Sequence, residues 1–116
     1  MVWQSGGAAT VSGGAVLLNS ARAGTDAIFT QGRVLEYSAT FSTAAYQHAG
    51  LGVDLSAAPW AIFSTGAGGA LFARSNDGTT PIETSLGATY LNSPHVYRIQ
   101  WNAGTVVFSI DGVQVA

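Results

Sequence analysis

The acid–base chemistry available to this chain resides in six carboxylates, two histidines and four arginines among 116 residues. Glycosidic hydrolysis needs two carboxyl groups across one cleft, about 5–5.5 Å apart for retention or about 6.5–9.5 Å for inversion. Glu36 and Asp54 are the pair to consider, and they would have to meet across neighbouring strands; a solvent-facing glutamate and a strand-end turn aspartate is the simpler reading. Nucleophilic catalysis has less to work with. His48 and His95 fall on different predicted strands, and no Gly-x-Ser-x-Gly elbow exists. His95 follows Pro94 at a strand start, where it reads as an edge cap. His48, in Gln47-His48-Ala49-Gly50, sits on the polar face of its strand and needs His or carboxylate partners to hold a metal.

Two glycine-containing segments imitate ligand loops. Asn76-Asp77-Gly78-Thr79 opens like a calcium loop but lacks the further acidic positions, so it reads as a turn. Gly66-Ala67-Gly68-Gly69 lacks the Lys and Ser/Thr of a phosphate loop and reads as a hairpin connection. No cofactor is required by these residues; a structural calcium ion held by backbone carbonyls would leave no trace in sequence. What remains is binding. Sugar sites on β-sheets combine an aromatic platform with planar polar side chains. Period-2 alternation turns Glu36, His48 and Asp54 outward if Leu35, Tyr37, Leu51 and Val53 face a core. Arg74 joins them by alternation and Trp60 as the residue after Pro59 at a strand start, so the candidate carbohydrate-binding group is Glu36, His48, Trp60 and Arg74.

These residues must be positioned by strands. In Val34–Ser42, Leu35, Tyr37, Ala39 and Phe41 alternate with Glu36, Ser38 and Thr40, the period of a half-buried strand. His95–Trp101 repeats the pattern, with Tyr97, Ile99 and Trp101 on one face. Val106–Ile110 follows and runs into Asp111-Gly112, a strong hairpin signal; Asn102-Ala103-Gly104 makes the turn before it. Further strands are expected at Ala15–Leu18, Ala27–Thr30, Tyr46–Leu55, Trp60–Ser64, Leu71–Arg74 and Ile82–Ser85. No stretch carries ten residues at helical spacing between breakers. Short strands at such intervals predict a single all-β domain, a two-sheet antiparallel β-sandwich.

Composition narrows the partners. Charged residues make up 9% of the chain, the net charge is −2, and lysine and cysteine are absent. An average soluble domain carries about 25% charge, so this surface is covered largely by uncharged polar and small residues. Without a basic footprint nucleic acid is not an expected partner, and no apolar run is long enough to insert in a membrane. Missing cysteine removes disulfides and thiol chemistry. Met1-Val2-Trp3-Gln4 shows neither the basic nor the apolar region of a signal peptide.

At His95 the chain resembles a known superfamily. His95-x-Tyr97-Arg98-Ile99-x-Trp101, Val106-x-Phe108 and Ile110-Asp111-Gly112 are similar to a hairpin of the concanavalin A-like lectin/glucanase superfamily, including laminin-G-like modules and family 16 glucanases. Gly32-Arg33-Val34-Leu35-Glu36 resembles the Gly-Arg-x-x-Glu strand of those domains. The opening Gly6–Leu18 is similar to their first hairpin. The resemblance implies a jelly roll and an extracellular or cell-surface location, with polysaccharide as partner. It does not carry over catalysis: the Glu-x-Asp-x-(x)-Glu strand of the glucanases should fall in Leu51–Gly66, which holds Asp54 and no glutamate. Members of the superfamily also continue past the Asp-Gly turn with several strands, whereas this chain stops at Ala116. A domain lacking C-terminal strands would expose edges that favour pairing with another copy of itself. The expectation is a non-catalytic carbohydrate-binding or adhesion module of a larger extracellular bacterial protein, not an enzyme. The alternatives are a self-assembling structural domain and, third, a diverged glycoside hydrolase.

Overall fold

Among the described residues, the alternating apolar and polar stretches form strands. The structure, a computed structural model, describes residues 32–52 and 57–116 in full; before residue 32 it describes only the backbone of four strands. Those four are β1 (Val2–Gln4), β2 (Ala8–Ser12), β3 (Ala15–Asn19) and β4 (Arg22–Gly24). They form two antiparallel pairs, β1 with β4 and β2 with β3. The expected strand at Ala27–Thr30 lies outside the described residues, as does Asp54.

The body of the domain is a sandwich of two antiparallel four-stranded sheets. One has the order β12 (Val113–Gln114), β11 (Val106–Ile110), β10 (Pro94–Trp101), β5 (Arg33–Thr40). The other is a meander, β6 (His48–Gly52), β7 (Trp60–Ser64), β8 (Leu71–Asn76), β9 (Pro81–Gly87). The chain therefore crosses between sheets after β5 and again after β9. Both crossings lie at one end of the sandwich, where the Asn92 amide donates to Phe41 O at 2.7 Å.

Each sheet turns one parity of its strands toward the other sheet. On β10, Tyr97 and Ile99 are fully buried and pair in register with Tyr37 and Leu35 of β5. Phe108 and Ile110 of β11 extend the same face. The meander opposes them with Ala61, Phe63, Leu71 and Ala73. Aromatic rings dominate the junction: Phe63 meets Tyr97 and Phe108 edge-on, with centroids 4.8 and 5.3 Å away. Such pairs add about 0.5–1.5 kcal/mol beyond their buried area. A hydrogen bond ties the sheets directly, Tyr37 Oη donating to Ala49 O at 3.0 Å. Gly50, next to it, admits no side chain, since a Cβ there would press on the Ala61 carbonyl oxygen and lie 2.7 Å from Ile62 Cα.

The turns follow their residue chemistry. Asp111 and Gly112 both take positive φ, 51° and 82°, as a two-residue hairpin of matching twist requires. Beyond that turn the chain adds β12, a short strand that the sequence pattern does not announce. The segment Asn76–Thr79 is a turn closed by its own side chains. Gly78 N donates to Asn76 Oδ1 at 2.8 Å, and Asp77 Oδ1 accepts from Thr79 N and Thr79 Oγ1 at 2.9 and 2.6 Å. These bonds hold the Asp77 carboxyl down at about 2. The glycine-rich segment after Ser64 connects β7 to β8, with positive φ at Gly66, Gly68 and Gly69.

Candidate functional site

The meander's strand β7 is covered on both faces. Ala61 and Phe63 face the core, yet Ile62 and Ser64, of opposite parity, are buried too. Register places Ile62 between Gly50 and Arg74, with Glu83 next in the row. The neighbouring row is His48, Ser64, Phe72 and Ser85, and the one beyond Ile62 is Gly52, Trp60, Asn76 and Pro81. Alternation therefore sets His48, Trp60, Arg74 and Glu83 on one outward face of one sheet.

Arg74 organises this face. Its Nε lies 2.8 Å from Glu83 Oε2, its guanidinium carbon stands 5.6 Å from the centre of the Trp60 ring, and Nη1 reaches Ser64 Oγ at 3.5 Å. Guanidinium over indole is an attractive geometry, because the cation meets the negative face of the ring. Ser64 Oγ also accepts from Gly66 N at 3.0 Å. With its two acceptor positions taken, the hydroxyl donates its hydrogen to His48 Nδ1, 2.8 Å away. His48 is accordingly neutral with its hydrogen on Nε2. Partial burial, and then the positive charge of Arg74, push its pKa below the ordinary histidine value.

Three of the four residues expected to form the sugar site are thus brought together, and Glu36 is not. Glu36 stands on β5 opposite Arg98, exposed on the outer face of the other sheet. Face parity was read correctly from alternation, but outward residues of two packed sheets point in opposite directions, with a layer about 10 Å thick between the backbones. The pairing of Glu36 with Asp54 falls on a residue outside the described ones; of the described strands, β5 neighbours β10, and β6 belongs to the opposite sheet. Among the described residues, no three His, Asp or Glu side chains gather to hold a metal.

Two features escaped the sequence reading. Tyr46, in the crossing from β5 to β6, is 75% exposed and carries a φ of 60°. Bulky residues avoid that region, and surrounding bonds must enforce it. Here Tyr46 N donates to Gly66 O at 2.7 Å, while Gln47 Nε2 donates to Ser42 Oγ and Ala44 O at 2.7 and 3.0 Å. The second feature is His95, which does more than cap an edge. It faces the inner side of β10 at the rim, with its side chain 19% exposed, and bonds on both ring nitrogens to Ser93 and Asp111. The two-residue spacing of Ser93 and His95 was visible in the sequence; Asp111 joins them only through strand pairing.

No family model, curated protein or solved structure matches the chain in comparisons with known proteins.

Proposed function

We propose that this domain is a carbohydrate-binding or adhesion module of a larger extracellular bacterial protein, built as a concanavalin A-like jelly roll, and that it breaks no glycosidic bond. Glycan docks on the outer face of the β6–β9 sheet. The observation that carries this reading is the fixed guanidinium of Arg74 beside the half-buried Trp60. An indole offers an apolar face to the C–H side of a pyranose, and a planar guanidinium held by Glu83 and Ser64 offers donors to its hydroxyls without ordering cost. His48 adds an outward Nε2–H donor on the same face. The test is a tryptophan-fluorescence titration against β-glucans, α-glucans, xylan, galactans and acidic polysaccharides, with calcium and with chelator. A saturable change with one class, lost in Trp60→Ala, supports the reading; a flat response to all of them refutes it.

A second reading, self-assembly through a sheet edge, is favoured by one observation. Strand β9 ends its sheet and exposes Pro81–Ser85, with Ile82 63% exposed. Exposed edges of this kind template pairing with another strand. Concentration-dependent association in sedimentation experiments, abolished by Ile82→Lys and unaffected by sugar, would replace the glycan reading with this one.

A further inference from the structure

At the rim where the chain crosses from β9 to β10, three side chains form one line of hydrogen bonds. Ser93 Oγ lies 2.9 Å from His95 Nε2, and His95 Nδ1 lies 2.6 Å from Asp111 Oδ2. Asp111 decides where the protons sit. Its Oδ1 accepts from the Val96 amide at 2.9 Å, and that bond, followed by the one from His95, holds the carboxyl below the usual aspartate value. An ionised carboxylate only accepts, so the imidazole hydrogen is on Nδ1. With its hydrogen on Nδ1 alone, the ring accepts at Nε2, and the Ser93 hydroxyl donates to it. This is the proton arrangement of a hydroxyl nucleophile paired with a general base whose orientation is set by a third group.

The imidazole is well seated for that role. Tyr90 meets it edge-on with centroids 5.4 Å apart, and Tyr97 packs at 6.3 Å. Asp111 is anchored through its own backbone as well, its amide donating to Val96 O at 2.8 Å. Ser93 is half-buried and His95 keeps 19% of its side chain exposed, so both residues lie at the solvent boundary.

We propose that Ser93 is an activated nucleophile and that this rim is an acyl-transfer site for small carboxylic esters. Ser93 Oγ bonds to the ester carbonyl carbon as its proton passes to His95 Nε2. Collapse of the tetrahedral adduct breaks the ester C–O bond, and the departing alcohol takes the proton from Nε2. Water then attacks the acyl carbon, giving one proton to Nε2; Ser93 Oγ leaves and recovers it. The net change is ester plus water to acid plus alcohol, with no other reactant. The site stands on residues of the β9–β10 crossing and the β10–β11 hairpin, none of which belongs to the Trp60 face, so either proposal fails without the other.

The experiment is labelling of the intact chain with an alkyl fluorophosphonate, read by mass spectrometry and peptide mapping. The expected result is one adduct on Ser93, absent from Ser93→Ala, which keeps the His95–Asp111 bond and the fold. General-base assistance is worth about 10²–10⁴ in rate, so His95→Gln should label at least about a hundredfold more slowly. Mapping of the adduct in the unsubstituted chain is a reading that requires no variant to fold. Labelling of Ser93→Ala at the wild-type rate, or no labelling of the folded wild type, overturns the proposal.

Discussion

Arg74 lies diagonally across the β7–β8 ladder from Trp60, its guanidinium carbon 5.6 Å from the indole centre, although register sets Trp60 opposite Asn76 and Arg74 opposite Ile62. Diagonal neighbours on a sheet face are within reach of long and aromatic side chains. The cation is held on its other side by Glu83, whose side chain is 49% exposed. Removing the cation should therefore cost more than removing its carboxylate. Arg74→Ala is expected to lose about 1 kcal/mol and Glu83→Gln less than about 0.5 kcal/mol. Denaturant melts of Trp60→Ala, Arg74→Ala and the double variant should give a coupling of about 0.5–1 kcal/mol.

The outer face also predicts a pH response. His48 has its folded pKa depressed, first by burial and then by Arg74. An unfolded chain titrates its histidines near 6.5, so just below that value the unfolded state binds the extra proton and the folded state does not. Stability from this group is present above about pH 6.5 and is lost as pH falls toward the folded value. Urea midpoints measured from pH 8 to pH 5 should decline, and His48→Asn should decline less than the wild type. Parallel slopes for the two proteins would contradict the Ser64–His48 proton assignment.

Two tyrosines in the core should respond oppositely to loss of their hydroxyls. Tyr37 Oη donates across the sandwich to Ala49 O, whereas the fully buried Tyr97 Oη has no partner among the described residues. Burial first, and then the charges of Asp111 and Tyr90, push the Tyr97 hydroxyl up to about 12. Removing a paired hydroxyl forfeits a net hydrogen bond, and removing an unpaired buried one relieves its desolvation. Tyr37→Phe is expected to destabilise by about 1 kcal/mol, and Tyr97→Phe to be neutral or stabilising, by thermal or chemical denaturation.

Gly50 is a position where one methyl group meets backbone on one side and core on the other. Its Cβ would sit against the Ala61 carbonyl, 2.7 Å from Ile62 Cα and 3.0 Å from Ile99 Cδ1. Backbone atoms of a central strand cannot give way as a flexible side chain does. Gly50→Ala should therefore lose about 1–3 kcal/mol, the range for overpacking, and the β6–β7 amides should lose hydrogen-exchange protection first.

What the sequence determined by itself was the parity of each strand and the chemistry of each turn. Leu35, Tyr37, Tyr97 and Ile99 were readable as inward because a strand alternates its faces with a period of two, whatever it pairs with. Asp111-Gly112 was readable as a hairpin turn because few residues tolerate two positive φ values in succession. Alternation says nothing about which sheet a strand joins. Glu36 and His48 share outward parity, and only the crossing after β5 put them on opposite sides of the molecule. The same held for Asp111 and His95, which lie sixteen positions apart and meet at 2.6 Å. Their encounter depends on the antiparallel register of β10 with β11 and on the ring turning inward at the rim. Those are properties of packed backbones, and tertiary structure alone decided them.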